Sequence, residues 1–127
     1  MNAMPTVLIV EANPVFRQAL KTTIQSRFPE LNVIATDNAD DALRKSVSER
    51  PKLVVMDIHL RNNGGKGLDL IRQIAVAQPY ARIAVLTDSD DDAYRQAALG
   101  KGADYFISKI SPGESRKVLT MIRETLK

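Results

Sequence analysis

Lys52-Leu53-Val54-Val55-Met56-Asp57-Ile58-His59-Leu60 is the stretch that decides the fold. Its apolar run does not alternate, is about five residues long and stops at a carboxylate, the pattern of a strand buried on both faces of a parallel sheet. In an open α/β sheet the ligand crevice lies beyond the carboxyl ends of the strands, so Asp57 stands where chemistry is usually placed. Taken alone, an aspartate there reads equally well as the start of a turn or a cap. The rest of the chain decides between them.

Outward from that strand, strands and helices alternate along the chain. Thr6 to Val10 is a β-branched apolar run ending at Glu11. Asn13-Pro14 follows as a helix start, with an amide side chain to cap free N–H groups and a proline pre-set for the first helical position. Phe16, Leu20, Ile24 and Phe28, joined by Val15 and Ala19, predict one apolar face on a helix of roughly fourteen residues that Pro29 ends. Leu31 to Ala35 reads as a second strand. Ala39, Ala42, Leu43 and Val47 predict a second helix, capped by Asn38 or Asp40 and closed before Pro51.

Beyond Asp57, the glycines and paired asparagines of 61–67 predict a loop, and Leu68, Ile71 and Ala75 a third helix up to Pro79. Arg82 to Thr87 is a fourth strand. A shorter helix with Ala93, Tyr94, Ala97 and Ala98 closes around Gly100 or Gly102. Ala103 to Ser108 is a fifth strand with Lys109 just past it. Ser111-Pro112-Gly113-Glu114 has the spacing of a capping box before a last helix carrying Val118, Leu119, Ile122 and Leu126. Strands alternating with helices predict a doubly wound α/β domain, a parallel sheet covered on both faces.

Composition bounds the function classes. The 127 residues fit one domain with a real core, and without cysteine there is neither a disulfide framework nor a thiolate metal site. No apolar stretch approaches a membrane span and the first residues lack a signal peptide, so a cytoplasmic location is the expectation. The net charge of +3 is spread along the chain, and aromatics make up 5%. Direct nucleic-acid contact is therefore not expected of this domain.

Under the alternating topology Glu11, Asp57, Thr87 and Lys109 fall at the carboxyl ends of four strands. Two acids, a hydroxyl and an amine suit phosphoryl transfer to a carboxylate: one acid to be phosphorylated, acids to hold a divalent cation, and a hydroxyl and ammonium to hold the transferred oxygens. Blander readings stand beside this one. Lys109 reads otherwise as a solvated lysine, Phe106 as fixed core, Tyr94 as packing against the sheet, and Asp90-Asp91-Asp92 as first-turn charges favoured by the helix dipole. A lone His59 makes no metal cluster. Gly64-Gly65-Lys66-Gly67 lacks the spacing of a phosphate-binding loop.

The pieces Val7-Leu8-Ile9-Val10-Glu11, Val54-Val55-Met56-Asp57, Val85-Leu86-Thr87 and Gly102-Ala103-Asp104-Tyr105-Phe106-Ile107-Ser108-Lys109 resemble the receiver domain of two-component response regulators, nearly end to end. Asn13-Pro14-Val15-Phe16-Arg17 and Lys109-Ile110-Ser111-Pro112 look like receivers that precede a helix-turn-helix output domain. The resemblance implies a flavodoxin-like sheet in strand order 2-1-3-4-5 and phosphorylation of Asp57 by a histidine kinase or phosphotransfer protein. It implies Mg²⁺ held by Glu11, Asp57 and the backbone carbonyl of His59, and phosphoryl oxygens bound by Thr87 and Lys109. Thr87 and Phe106 would act as the switch, changing the surface of the fourth helix, fifth strand and fifth helix. A partner, an output domain or a homodimer mate would read that surface.

The chain departs from the family pattern in three places. Ala12 stands where the family has a second acid, so metal affinity should be weakened. Asp88 follows the hydroxyl where a small residue is usual; facing a donor at about 5 Å and an effective dielectric of about 20, it would repel by roughly 3 kcal/mol per unit pair. The loop after Asp57 is longer and lacks its usual proline. The expectation is thus a non-enzymatic signalling module, with a phosphorylation-independent docking or dimerisation domain as the alternative. An aspartyl phosphatase would need a second acid where this chain has His59.

Overall fold

The computed structural model describes residues 4–57, 66–88, 92–109 and 114–126. Five strands, β1 (Thr6–Val10), β2 (Asn32–Thr36), β3 (Leu53–Asp57), β4 (Arg82–Thr87) and β5 (Tyr105–Ser108), form one parallel sheet in the order 2-1-3-4-5. Between and after them run α1 (Pro14–Arg27), α2 (Ala39–Ser48), α3 (Lys66–Ala77), α4 (Asp92–Lys101) and α5 (Glu114–Thr125). This is the doubly wound architecture that the alternation predicts, in the flavodoxin-like strand order that the resemblance implies.

Because side chains alternate along a strand, the central strands feed two cores at once. Val7, Ile9, Leu53, Val55, Ala84 and Leu86 face α1 and α5, where they meet Leu20, Ile24, Val118 and Ile122. Leu8, Val10, Val54, Met56, Ile83 and Val85 face α2, α3 and α4, meeting Ala42, Leu70, Ile71, Ile74 and Ala98. The non-alternating apolar run of β3 is thereby explained, since every residue from Leu53 to Asp57 is buried.

Local signals set most boundaries. The Asn13 side chain accepts the N–H groups of Val15 and Phe16 and starts α1. Asn38, of the two candidates, caps α2 through the N–H of Asp41. Gly102 ends α4 with φ of 125°, and a Cβ added there would lie 2.8 Å from the Ala75 Cβ; Gly100 has no such demand. Both the backbone and the α3 neighbour therefore require glycine.

Several edges differ from the sequence expectation. Lys66 and Gly67, expected in a loop, already belong to α3; residues 58–65 and the capping-box positions 111–113 lie outside the described residues. Val15 is 78% exposed, since it sits one step, about 100°, away from Phe16 round the helix. Val47 is exposed because eight positions beyond Ala39 carry it about 80° off the buried face. β5 begins two residues later than read. There the Asp104 carboxylate accepts the Ile83 N–H (2.8 Å) while its own N–H donates to the Ile83 carbonyl (2.7 Å), extending the β4 pairing by a side chain.

Candidate functional site

The carboxyl ends of β1 and β3 lie side by side in the centre of the sheet, Val10 opposite Met56, so the residues just beyond converge. Glu11 continues the β1 ladder by donating its N–H to Thr36 at 3.0 Å. Lys109 follows β5, and its N–H reaches the Thr87 carbonyl at 2.6 Å, fixing the lysine across from the end of β4. From there the Lys109 ammonium donates to Glu11 Oε1 and Asp57 Oδ2, each at 2.8 Å. Glu11 is 4% and Asp57 9% exposed. The Lys109 side chain is 18% exposed.

Charges buried to this degree persist only when paired. The second Glu11 oxygen accepts the Asn13 N–H at 3.0 Å, so one asparagine both caps α1 and orients the acid. Arg17 reaches back from α1 to the Glu11 carbonyl at 2.9 Å. The ammonium also lies 4.0 Å from the centroid of the Phe16 ring. Burial alone would lower the Lys109 pKa, but the hydrogen bonds and charges of Asp57 and Glu11 outweigh it and raise the pKa above the ordinary lysine value.

A cavity of about 390 Å³ opens over these groups, lined by Glu11, Ala12, Asn13, Pro14, Asp57, Asp88 and Lys109. Thr87 is fully buried at the end of β4, one position past Leu86, which pairs with Asp57. Phe106, half-buried, packs on the α2–α3–α4 side with Tyr94 and Leu99. Tyr94 packs against the same core, as its place in the sequence predicts. Burial first, then the negative charges of Asp57 and Asp88, push its pKa up, so its phenol lies within the field of the pocket. His59 falls outside the described residues.

Of the residues expected from the sequence, Glu11, Asp57 and Lys109 meet directly and Thr87 abuts them through the backbone of Lys109. The supporting roles of Phe16 and Arg17 were not legible. Phe16 reads in sequence only as one rung of an apolar helix face, and nothing in spacing alone says that its ring lies under an ammonium. A second hollow of about 100 Å³ between α1 and α5, lined by Phe16, Ala19, Leu20, Thr23, Ile24, Val118 and Leu119, carries no ionisable group and offers no chemistry of its own.

The donor set also bears on a divalent cation. Three lining acids, Glu11, Asp57 and Asp88, against the Lys109 ammonium leave the pocket two units of negative charge in excess, which favours a cation. Among the described residues no third acid or imidazole joins Glu11 and Asp57 in a metal-holding group, and Ala12 contributes only a methyl to the lining. Mg²⁺ is commonly held by one or two carboxylates with water and phosphate oxygens, so Glu11 and Asp57 fit it in that reduced form.

Comparison with known proteins places this geometry. The family model described as the response regulator receiver domain matches residues 7–123. The transcriptional regulatory protein LnrK of Bacillus subtilis is 32% identical over 108 residues, 84% of this chain and 47% of the relative. A two-component response regulator of the LuxR family from an Aurantimonas species superposes with a TM-score of 0.82 at 25% identity, over 95% of this chain and 84% of that one. A response regulator from Burkholderia pseudomallei, solved with a phosphorylated aspartic acid, calcium ion and citrate, gives a TM-score of 0.77 at 28% identity, over 94% and 74%. The chain spans about a third to a half of the length of the curated relatives it matches. With its strand order, its buried acids and their shared lysine, the chain belongs to the response regulator receiver domain family.

Proposed function

We propose that Asp57 accepts a phosphoryl group from the phosphohistidine of a kinase or phosphotransfer protein and that the domain switches in response. The observation that carries this reading is the single Lys109 ammonium placed 2.8 Å from both Asp57 and Glu11 in an open cavity. An Asp57 oxygen attacks phosphorus, the P–N bond of the donor breaks, and the departing imidazole keeps the electron pair and takes a proton. The product is an acyl phosphate on Asp57.

Lys109 is already hydrogen-bonded to the acceptor, so its ammonium needs to shift little to bind the incoming oxygens, joined by the Thr87 hydroxyl. Glu11 and Asp57, with the His59 carbonyl, would hold Mg²⁺, which when bound neutralises the charge that gathers on the transferred group. Drawing Thr87 toward the phosphoryl group would free space for Phe106 to move inward, changing the surface formed by α4, β5 and α5. A homodimer mate or an output domain would read that change, and no direct nucleic-acid contact is assigned to this domain. Among the described residues no helix is long and apolar enough to cross a membrane, and we assign the domain to the cytoplasm.

Intact-mass measurement after incubation with a small phosphodonor and Mg²⁺ tests the reading. One added phosphoryl group is expected, absent in Asp57→Ala; an unmodified native chain refutes it. A second reading, a docking or dimerisation module independent of phosphate, draws on Ala12 and Asp88, which line the cavity as a methyl and an additional negative charge. Efficient labelling at millimolar Mg²⁺ removes its basis. Labelling that appears only in Ala12→Asp supports it and locates the defect at the metal.

A further inference from the structure

Three contacts tie the first turn of α1 to the acceptor pocket. Two act on Glu11: the Asn13 N–H on its carboxylate at 3.0 Å and the Arg17 side chain on its carbonyl at 2.9 Å. The third acts on Lys109, whose ammonium lies 4.0 Å from the centroid of the Phe16 ring. A lysine head is a compact charge on a flexible four-carbon stem, so its placement depends on what surrounds it. Here two carboxylates pull from one side, and the π face of a half-buried ring receives the ammonium on another.

We propose that Phe16 is a positioning residue for phosphoryl transfer: its ring seats the Lys109 ammonium where it meets both Asp57 and the oxygens of an incoming group. This rests on Asp57 being a phosphoryl acceptor, and names a further residue on which that acceptance depends. A phenylalanine serving only as core could be exchanged for an aliphatic residue of similar volume without consequence for the lysine. A seat could not, because the attraction comes from the ring quadrupole, which leucine lacks and tyrosine retains. Phe16 also lines the hollow between α1 and α5. The residue under the lysine is therefore also part of a surface groove, and displacing the ring from that groove would disturb Lys109.

The test compares Phe16→Leu and Phe16→Tyr with the native chain by two measurements. The first is the NMR shift of the Lys109 ε-methylene protons without phosphodonor; the second is the rate of phosphorylation by acetyl phosphate at fixed Mg²⁺. In the native chain the ring current should move the ε-methylene protons upfield of the other lysines. Leucine should abolish that displacement and slow phosphorylation about five- to tenfold, while tyrosine restores both. Matched thermal midpoints for the two variants exclude a general loss of fold as the cause. The proposal is overturned if leucine leaves the shift and rate native, or if tyrosine fails as badly as leucine. A native chain that takes no phosphoryl group while its Lys109 shift follows the ring refutes the acceptor role and leaves the seat standing; a shift indifferent to the ring refutes the seat itself.

Discussion

Lys109→Met removes the ammonium while keeping an unbranched apolar stem, and leaves Glu11 and Asp57 facing each other without a cation between them. Because each carboxylate oxygen is 2.8 Å from the same nitrogen, the two lie at most about 5.6 Å apart, and at an effective dielectric of about 20 their repulsion is about 3 kcal/mol. That agrees with the loss of about 3–5 kcal/mol typical when one member of a buried ion pair is removed. Against a native stability of about 5–15 kcal/mol the loss is large, and urea unfolding at pH 7 should show a lower midpoint with an unchanged slope. Two further measurements identify the cause. Adding Glu11→Gln to Lys109→Met should return most of the lost stability, because one of the repelling charges is gone. Millimolar Mg²⁺ should stabilise Lys109→Met more than the native chain, since a cation that binds only the folded form stabilises it by mass action. A Lys109→Met protein as stable as the native one at pH 7, or one that Glu11→Gln does not rescue, would refute the account of the pocket as a buried charge cluster.

Two other outcomes follow from particular contacts. The Lys109 pKa is raised in the folded state, so its contribution is intact below the unfolded lysine value of about 10.4 and is lost as pH rises through the folded value. Tyr94, also raised, acts in the same direction, so the lysine share is the part of the alkaline loss in thermal midpoint that disappears in Lys109→Met. Gly102→Ala should cost about 1–3 kcal/mol, from its φ of 125° and the 2.8 Å approach to Ala75, whereas Gly100→Ala should be neutral or slightly stabilising. Chemical denaturation of the two variants checks the contrast, and equal effects would refute it.

How much the sequence revealed differs between the backbone and the pocket. Strands β1, β3 and β4 were legible because burial on both faces writes itself as an unbroken apolar run. The start of α1 was legible because a cap is a local interaction between near neighbours. Two edges were settled by distant partners. Asp104 bonds to Ile83 and replaces part of the expected fifth strand, and Gly102 is demanded by Ala75 on another helix.

By itself the sequence determined the alternating α/β architecture and placed Glu11, Asp57, Thr87 and Lys109 at strand ends, since hydrophobic periodicity and turn chemistry act over a few residues. Only the tertiary structure decided that Lys109 bridges Asp57 and Glu11 at 2.8 Å, and that the Phe16 ring lies under its ammonium. These contacts join residues that the strand order brings together from opposite ends of the chain. Their strength depends on burial and distance, and neither is encoded in any one stretch of residues.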